Sequence, residues 1–133
     1  MRLLLIAGAA LCATSALAAE LPISGIYGDE LGCARLNMGP NDIDEPGGFN
    51  LYADRFEGYE WGCTFGEVWP YGDGRTFGVQ GLCGAEGTPF VEQYVIERAF
   101  DDENRYTVYE PDGGRQFSVG LCEGAAETPG GKG

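Results

Sequence analysis

The segment from Tyr59 to Trp69 constrains the fold more than any other part of this chain, because apolar rings alternate along it with small or polar residues. Successive side chains of a β-strand point to opposite faces of the sheet. The odd-numbered positions, which share one face, are Tyr59, Trp61, Cys63, Phe65, Glu67 and Trp69. The pattern therefore predicts a strand whose aromatic face is buried, with Glu67 among the rings.

A second strand is predicted after the glycine-rich turn at Tyr71–Gly74. A three-residue turn places Cys63 directly opposite Cys83 and lays Phe65 over Gly81. An aromatic ring over a cross-strand glycine stabilises a sheet. The other pairs in this register are Trp69 with Phe77 and Glu67 with Val79.

Four cysteines remain once an N-terminal leader containing Cys12 is removed, and an even number in an exported domain is typical of disulfides. They are Cys33, Cys63, Cys83 and Cys122. None has the Cys-x-x-Cys spacing of a redox or zinc motif. The hairpin register predicts a Cys63–Cys83 bond and leaves Cys33–Cys122 as the second, while spacing alone leaves the other two connectivities open.

The leader itself has a charged start, an apolar run over Leu3–Leu11 and the small-x-small sequence Ala-Leu-Ala at 16–18. We interpret residues 1–18 as a signal peptide that is cleaved after Ala18 or Ala19. This predicts a periplasmic or secreted protein. The apolar run is shorter than the roughly 20 residues of a membrane span, so no stable membrane insertion is expected.

The rest of the chain carries short aromatic and β-branched runs separated by Gly, Pro, Asp and Asn. The predicted fold is all-β, a small single-domain antiparallel β-barrel or sandwich of about seven strands over residues 19–122, with two disulfides. Residues 123–133 are predicted to be a disordered tail. The predicted strands are Ile23–Gly28, Phe49–Ala53, Tyr59–Trp69, Thr76–Cys83, Val91–Phe100, Arg105–Glu110 and Gln116–Cys122. A helix over Phe90–Ile96 is the alternative for the fifth.

Acidic residues dominate the charge, with 21 Asp and Glu against 8 Lys and Arg and a formal net charge of −13. Because Arg2 is the one charged residue of the leader, the mature chain carries −14. Nucleic acids and anionic membranes are bound through cationic groups, so neither is expected as a partner. The charge is explained by solubility alone, by a cationic protein partner or by a weak divalent-cation site.

The side chains of the common catalytic centres are missing. The sequence contains no histidine, and the mature chain has Ser24 and Ser118 as its serines. Phosphate-loop and dinucleotide-binding motifs are absent, so no cofactor is expected. The acidic clusters at 41–45 and 101–104 lack the spacing of a calcium loop, and no metal site is predicted. We predict no enzymatic activity, with a carboxylate pair that includes Glu67 as the enzymatic alternative.

Four residues of the aromatic face are candidate ligand contacts: Trp61, Phe65, Glu67 and Trp69. If they surround an internal space, the carboxyl group of Glu67 is buried among rings and its pKa is raised. One functional hypothesis is therefore a small-ligand carrier with its pocket inside the barrel.

The leading hypothesis is a non-enzymatic binding or inhibitor-like module that acts on a protein partner. The size and predicted layout broadly resemble small exported β-barrels with one or two disulfides, among which are bacterial inhibitors of lysozymes and proteases. Fold alone does not determine function, and the inhibitory motifs of such families are not found in this sequence. The resemblance therefore implies no particular site residue.

Overall fold

The computed structural model describes residues 19–38 and 47–125, and over these residues the chain forms a closed antiparallel β-barrel. The strands follow one another around the barrel in chain order, and the last pairs with the first. The elements are β1 (Tyr27–Gly28), α1 (Glu30–Leu36), β2 (Asn50–Leu51), β3 (Arg55–Gly58), β4 (Trp61–Pro70), β5 (Thr76–Ala85), β6 (Thr88–Arg98), β7 (Arg105–Tyr109) and β8 (Gln116–Leu121). The all-β prediction is confirmed, and of its two forms the barrel is the observed one.

Two elements of the described chain were not expected from the sequence. The short strand β3 raises the number of strands from seven to eight. The helix α1 lies between the first two predicted strands, and it begins where the Asp29 carboxylate accepts a hydrogen bond from the Gly32 amide at 2.7 Å and caps the first turn. The same carboxylate accepts a bond from the Phe49 amide at 3.0 Å, which ties α1 to the start of β2. The predicted signal peptide and residues 126–133 of the predicted tail lie outside the described residues.

The central hairpin of β4 and β5 follows the predicted register only in its lower half, where residues 61–65 pair with residues 81–85. Cys63 pairs with Cys83 and Phe65 with Gly81, as predicted, but a bulge at Gly66 then shifts the register by one residue. The turn also has four residues, 72–75, because the Tyr71 amide donates to the Thr76 carbonyl at 2.9 Å.

The upper half of the predicted register is therefore wrong. Trp69 pairs with Gly78 and Glu67 with Gln80, in place of Phe77 and Val79. Since side chains alternate with a period of two, one inserted residue moves Glu67 and Trp69 to the outer face.

Side chains fill the barrel interior. Phe56 lies at its centre, with its ring centroid 4.7 Å from that of Tyr94 and 5.7 Å from those of Trp61 and Phe65. Burial of each such ring contributes roughly 1.5–3 kcal/mol relative to an exposed one. Side chains with no exposed surface are those of Leu51, Phe56, Val79, Ile96 and Val108.

Both predicted disulfides are present. Cys63–Cys83 joins directly opposed residues of β4 and β5, whose Cα atoms are 4.0 Å apart. Cys33–Cys122 joins α1 to the residue after β8, with a Cα–Cα distance of 5.3 Å. Two disulfides are consistent with an oxidising compartment outside the cytosol.

The outer surface of the barrel has two unlike sides. On the covered wall, formed by β1, β2 and β8, α1 lies so close that a Cβ atom on Gly28 would be 3.0 Å from the Cys33 amide nitrogen. The bare wall is the outer face of β4, β5 and β6, which among the described elements contact mainly their neighbouring strands. Leu82 and Val91 are adjacent there and stay 54% and 62% exposed.

No helix in residues 19–38 or 47–125 is long and apolar enough to cross a membrane, and α1 has seven residues.

Candidate functional site at one end of the barrel

The four predicted ligand contacts do not line one space. Trp61 and Phe65 point into the barrel, and Phe65 is buried against Phe56. Glu67 is exposed on the outer face, and the Trp69 ring lies over Gly78 on that same face. Of the four, only Trp61 combines an inward direction with partial exposure, because it begins β4 at one end of the barrel.

Trp61 belongs to an aromatic cluster at that end. Its ring centroid lies 5.8 Å from that of Phe117 on β8 and 5.9 Å from that of Phe49, which precedes β2. Phe49 and Phe117 are stacked, with centroids 4.5 Å apart and planes 5° from parallel. Three segments that are distant in sequence thus bring their rings together, where the sequence shows isolated aromatic residues.

A guanidinium group lies over this cluster. The Arg115 Cζ atom is 5.9 Å from the ring centroid of Trp61 and 5.9 Å from that of Phe117, within the range of a cation–π interaction. Its Nε forms an ion pair with Glu110 Oε1 at 3.2 Å. The Glu110 side chain is only 10% exposed, whereas that of Arg115 is 69% exposed.

The turn between β7 and β8 positions this ion pair. Glu110 and Arg115 flank the sequence Pro-Asp-Gly-Gly, and the Glu110 amide donates to the Arg115 carbonyl at 3.1 Å. The Arg115 amide donates in turn to Glu110 Oε2 at 3.2 Å. The carboxylate therefore holds both the backbone and the side chain of Arg115.

A second carboxylate approaches from β6. Tyr94 is buried, and its hydroxyl donates to Glu92 Oε2 at 2.8 Å. Burial is the main cause that raises the pKa of Tyr94, and the adjacent Glu92 carboxylate raises it further. The hydroxyl thus remains a donor at neutral pH and orients the Glu92 carboxylate.

We call the group Trp61, Glu92, Glu110, Arg115 and Phe117 the barrel mouth. Glu92 bonds to the Tyr94 hydroxyl, and the pairing of Val95 with Tyr109 sets Glu110, with its partner Arg115, beside Tyr94. Ring faces and carboxylates together form a setting that attracts ammonium and guanidinium groups. In the described part of the chain, no group of His, Cys, Asp or Glu side chains is arranged to hold a metal ion.

Two other surface features do not combine several rings with opposite charges as the barrel mouth does. A groove of about 340 Å³ crosses the outer face of β3, β4 and β5. Its one cation, Arg55, is engaged by the carboxylates of Asp54 and Glu57, at 2.8 Å each. Phe100 lies at the opposite end of the barrel from the mouth and is 90% exposed. The Arg75 Cζ atom is 4.9 Å from its ring centroid.

Sequence reasoning identified Trp61 but missed the charged members of the mouth. Glu92, Glu110 and Arg115 come from two different hairpins, and no local spacing connects Glu92 with the other two. The sequence did contain one signal for part of the mouth. An acidic residue, Glu110, and a basic residue, Arg115, flank a predicted turn, which indicates an ion pair across it.

Comparison of the chain with protein-family models, with curated proteins and with solved structures found no match. The geometry of the barrel mouth and the charge of the chain are therefore the features that bear on function.

Proposed function

We propose that the protein is an exported, non-enzymatic binding module whose barrel mouth engages cationic side chains of a protein partner. The observation that carries the proposal is the Arg115 guanidinium, which lies over Trp61 and Phe117 and pairs with Glu110. The mouth thus already accommodates the chemical group that an external arginine would present.

The charge of the chain favours the same class of partner. Glu92 and Glu110 outnumber Arg115 in the mouth, and the whole chain carries −13. A strongly acidic protein attracts cationic partners over several ångströms, and this attraction weakens as salt is added. The two disulfides and the predicted signal peptide support action in the periplasm or outside the cell.

The alternative of an internal ligand carrier is less well supported. Phe56, Val79 and Ile96 fill the interior with no exposed surface. Glu67 and Trp69, half of the residues expected around an internal pocket, lie on the outer face.

Isothermal titration with lysozyme, used as a model cationic protein, tests the proposal at low and at high salt. We expect binding at low ionic strength that a double variant, Glu92→Gln with Glu110→Gln, weakens by about tenfold or more, since each charge-assisted bond is worth roughly 1.4 kcal/mol or more. The matched control is Asp101→Asn with Glu103→Gln, which removes two charges at the opposite end of the barrel.

Equal losses in the mouth variant and the control variant would show that only net charge matters, and the barrel mouth would be rejected as the site. Absence of binding to any cationic protein at low salt would reject the function itself. A Trp69→Phe variant leaves Trp61 as the single tryptophan, so that its fluorescence reports directly on the mouth when non-fluorescent cationic peptides are added.

A further inference from the structure

The first residues of β6, 88–94, lie next to the barrel mouth and extend past the end of the neighbouring strand β7. β6 pairs with β5 along Thr88–Glu97 but with β7 only along Val95–Arg98. The β7 ladder stops because Pro111, which would lie opposite Gln93, has no amide proton and begins the turn to β8. In the described chain, the side of residues 89–93 that faces away from β5 therefore has no strand beside it.

The turn between β5 and β6 identifies which amides are free. Glu86 and Gly87 have φ values of +50° and +79°, the conformation of a two-residue type I′ hairpin turn. In such a hairpin the flanking residues, here Ala85 and Thr88, exchange both backbone hydrogen bonds.

The backbone hydrogen bonds of successive β6 residues then point alternately toward β5 and away from it. Phe90 and Glu92 bond to β5, whereas Val91 and Gln93 direct their N–H and C=O groups outward. The hydrogen bonds at the other end of β6 follow the same alternation. There the Arg98 amide donates to the Arg75 carbonyl on the β5 side at 2.9 Å, and the next amide, that of Ala99, donates to the Arg105 carbonyl on the β7 side at 2.8 Å.

The two faces beside this free edge differ in chemistry. On the bare wall, Val91 and the adjacent Leu82 present exposed aliphatic side chains. On the inner side, Glu92 leads into the barrel mouth, with Glu110 across the gap. A strand added here would place alternate side chains on an apolar surface and the others beside carboxylates.

We infer that the free edge of β6, Pro89–Gln93, takes an extended segment of the cationic partner as an additional strand, with alternating apolar and cationic residues. The inference rests on the proposed function and specifies how the partner binds. β-Strand addition obtains affinity from main-chain bonds and specificity from alternate side chains. A second copy of this chain is disfavoured as occupant, because it would bring another net charge of −13 and place Glu92 near Glu92.

Amide hydrogen exchange on the isotope-labelled, oxidised protein tests this with an eight-residue peptide of alternating lysine and valine. In the free protein we expect the Val91 and Gln93 amides to exchange at least tenfold faster than those of Phe90 and Glu92. The peptide should slow Val91 and Gln93 at least tenfold. A control peptide of equal charge, with proline at the valine positions, should leave their exchange unchanged because it cannot pair as a strand.

A matched pair of variants provides a second measurement. Val91→Pro removes one outward amide, whereas Val91→Thr keeps the amide and loses only apolar contact. Binding of the alternating peptide should therefore be at least tenfold weaker in Val91→Pro than in Val91→Thr, and equal losses in the two variants would overturn strand addition. The exchange measurement on the unaltered protein stands even where Val91→Pro fails to fold.

The two proposals fail in different ways. If the peptide changes Trp61 fluorescence in the Trp69→Phe variant but leaves the exchange of Val91 and Gln93 unaltered, strand addition is overturned and cation binding at the mouth stands. If neither peptide binds at low salt, both are overturned.

Discussion

The covered wall and the bare wall of this barrel are held together by different means. β1 and β2 of the covered wall have two residues each, too few for a self-sufficient ladder. The strands of the bare wall, β4, β5 and β6, have ten, ten and eleven residues and are joined by tight turns. The first wall depends on α1 and on the Cys33–Cys122 bond, whereas the second is stabilised by its own hairpins.

This difference leaves one outer surface of the barrel free of the contacts that stabilise the fold. Because the outer face of the bare wall is not needed to bury another described element, its side chains and its free edge on β6 are available to a partner. The covered wall has no such freedom, since Gly28 and Asn50 lie beneath α1 and close to the Cys122 sulfur.

The largest effect is expected from removing the disulfides one at a time as Cys→Ala pairs. Their loops differ in length, with sequence separations of 89 and 20 residues. Chain entropy gives losses of about 4.6 kcal/mol for Cys33–Cys122 and about 3.3 kcal/mol for Cys63–Cys83. Denaturant unfolding of the two variants measures both, and the opposite order would mean that the covered wall does not depend on its cross-link.

The second comparison uses one substitution on each wall. Gly32 of α1 is buried, and an added Cβ would collide with the Phe49 carbonyl oxygen, so Gly32→Ala should lose about 2–3 kcal/mol even though alanine favours helix. Gly84→Ala on the bare wall meets no atom within 4 Å and should change the free energy of unfolding by less than about 0.5 kcal/mol. Similar losses in thermal melts of the two variants would contradict this account of the walls.

A smaller, pH-dependent effect is expected at Tyr94. Its folded-state pKa is raised above the ordinary 10.0, so the stability it contributes is complete below pH 10 and is lost as pH rises from there through the folded value. Tyr94→Phe should cost about 1.5 kcal/mol at pH 7 by removing the bond to Glu92. That deficit should shrink in urea titrations between pH 10 and 12, and a constant deficit would mean that the hydroxyl is not buried in solution.

The smallest effect is expected at Leu82, whose side chain is 54% exposed on the bare wall. Leu82→Thr should change the free energy of unfolding by less than about 0.5 kcal/mol, because little buried apolar area is lost. The same substitution should weaken binding of the alternating lysine–valine peptide. A large loss of stability would show that this face is covered in solution.

The lower half of the central hairpin could be predicted from sequence because local alternation determines it. Cys63 and Cys83 share a face with the rings around them, and the disulfide follows from that register. The upper half could not, because nothing in the composition near Gly66 distinguishes a bulge from a regular strand residue. One inserted residue then reversed the faces of Glu67 and Trp69.

The barrel mouth was only partly accessible to sequence reasoning for a related reason. The alternating pattern marked Trp61 as inward-facing, but the partners of Trp61 come from β8 and from the turn before it. Which strand lies opposite Trp61 depends on how the barrel closes, through pairing of β8 with β1. Closure is a long-range property that local spacing does not determine.

Pro89 has a consequence for how this protein behaves when concentrated. Fibrils grow when every incoming strand offers a fresh, unbroken row of donors and acceptors to the next. Because proline lacks an amide proton and Pro89 lies two residues before Val91, the exposed row ends after two donors, the amides of Val91 and Gln93. An edge this short gives a single strand a place to pair, as proposed above, but it is no continuous template for polymerisation of the chain through residues 89–93.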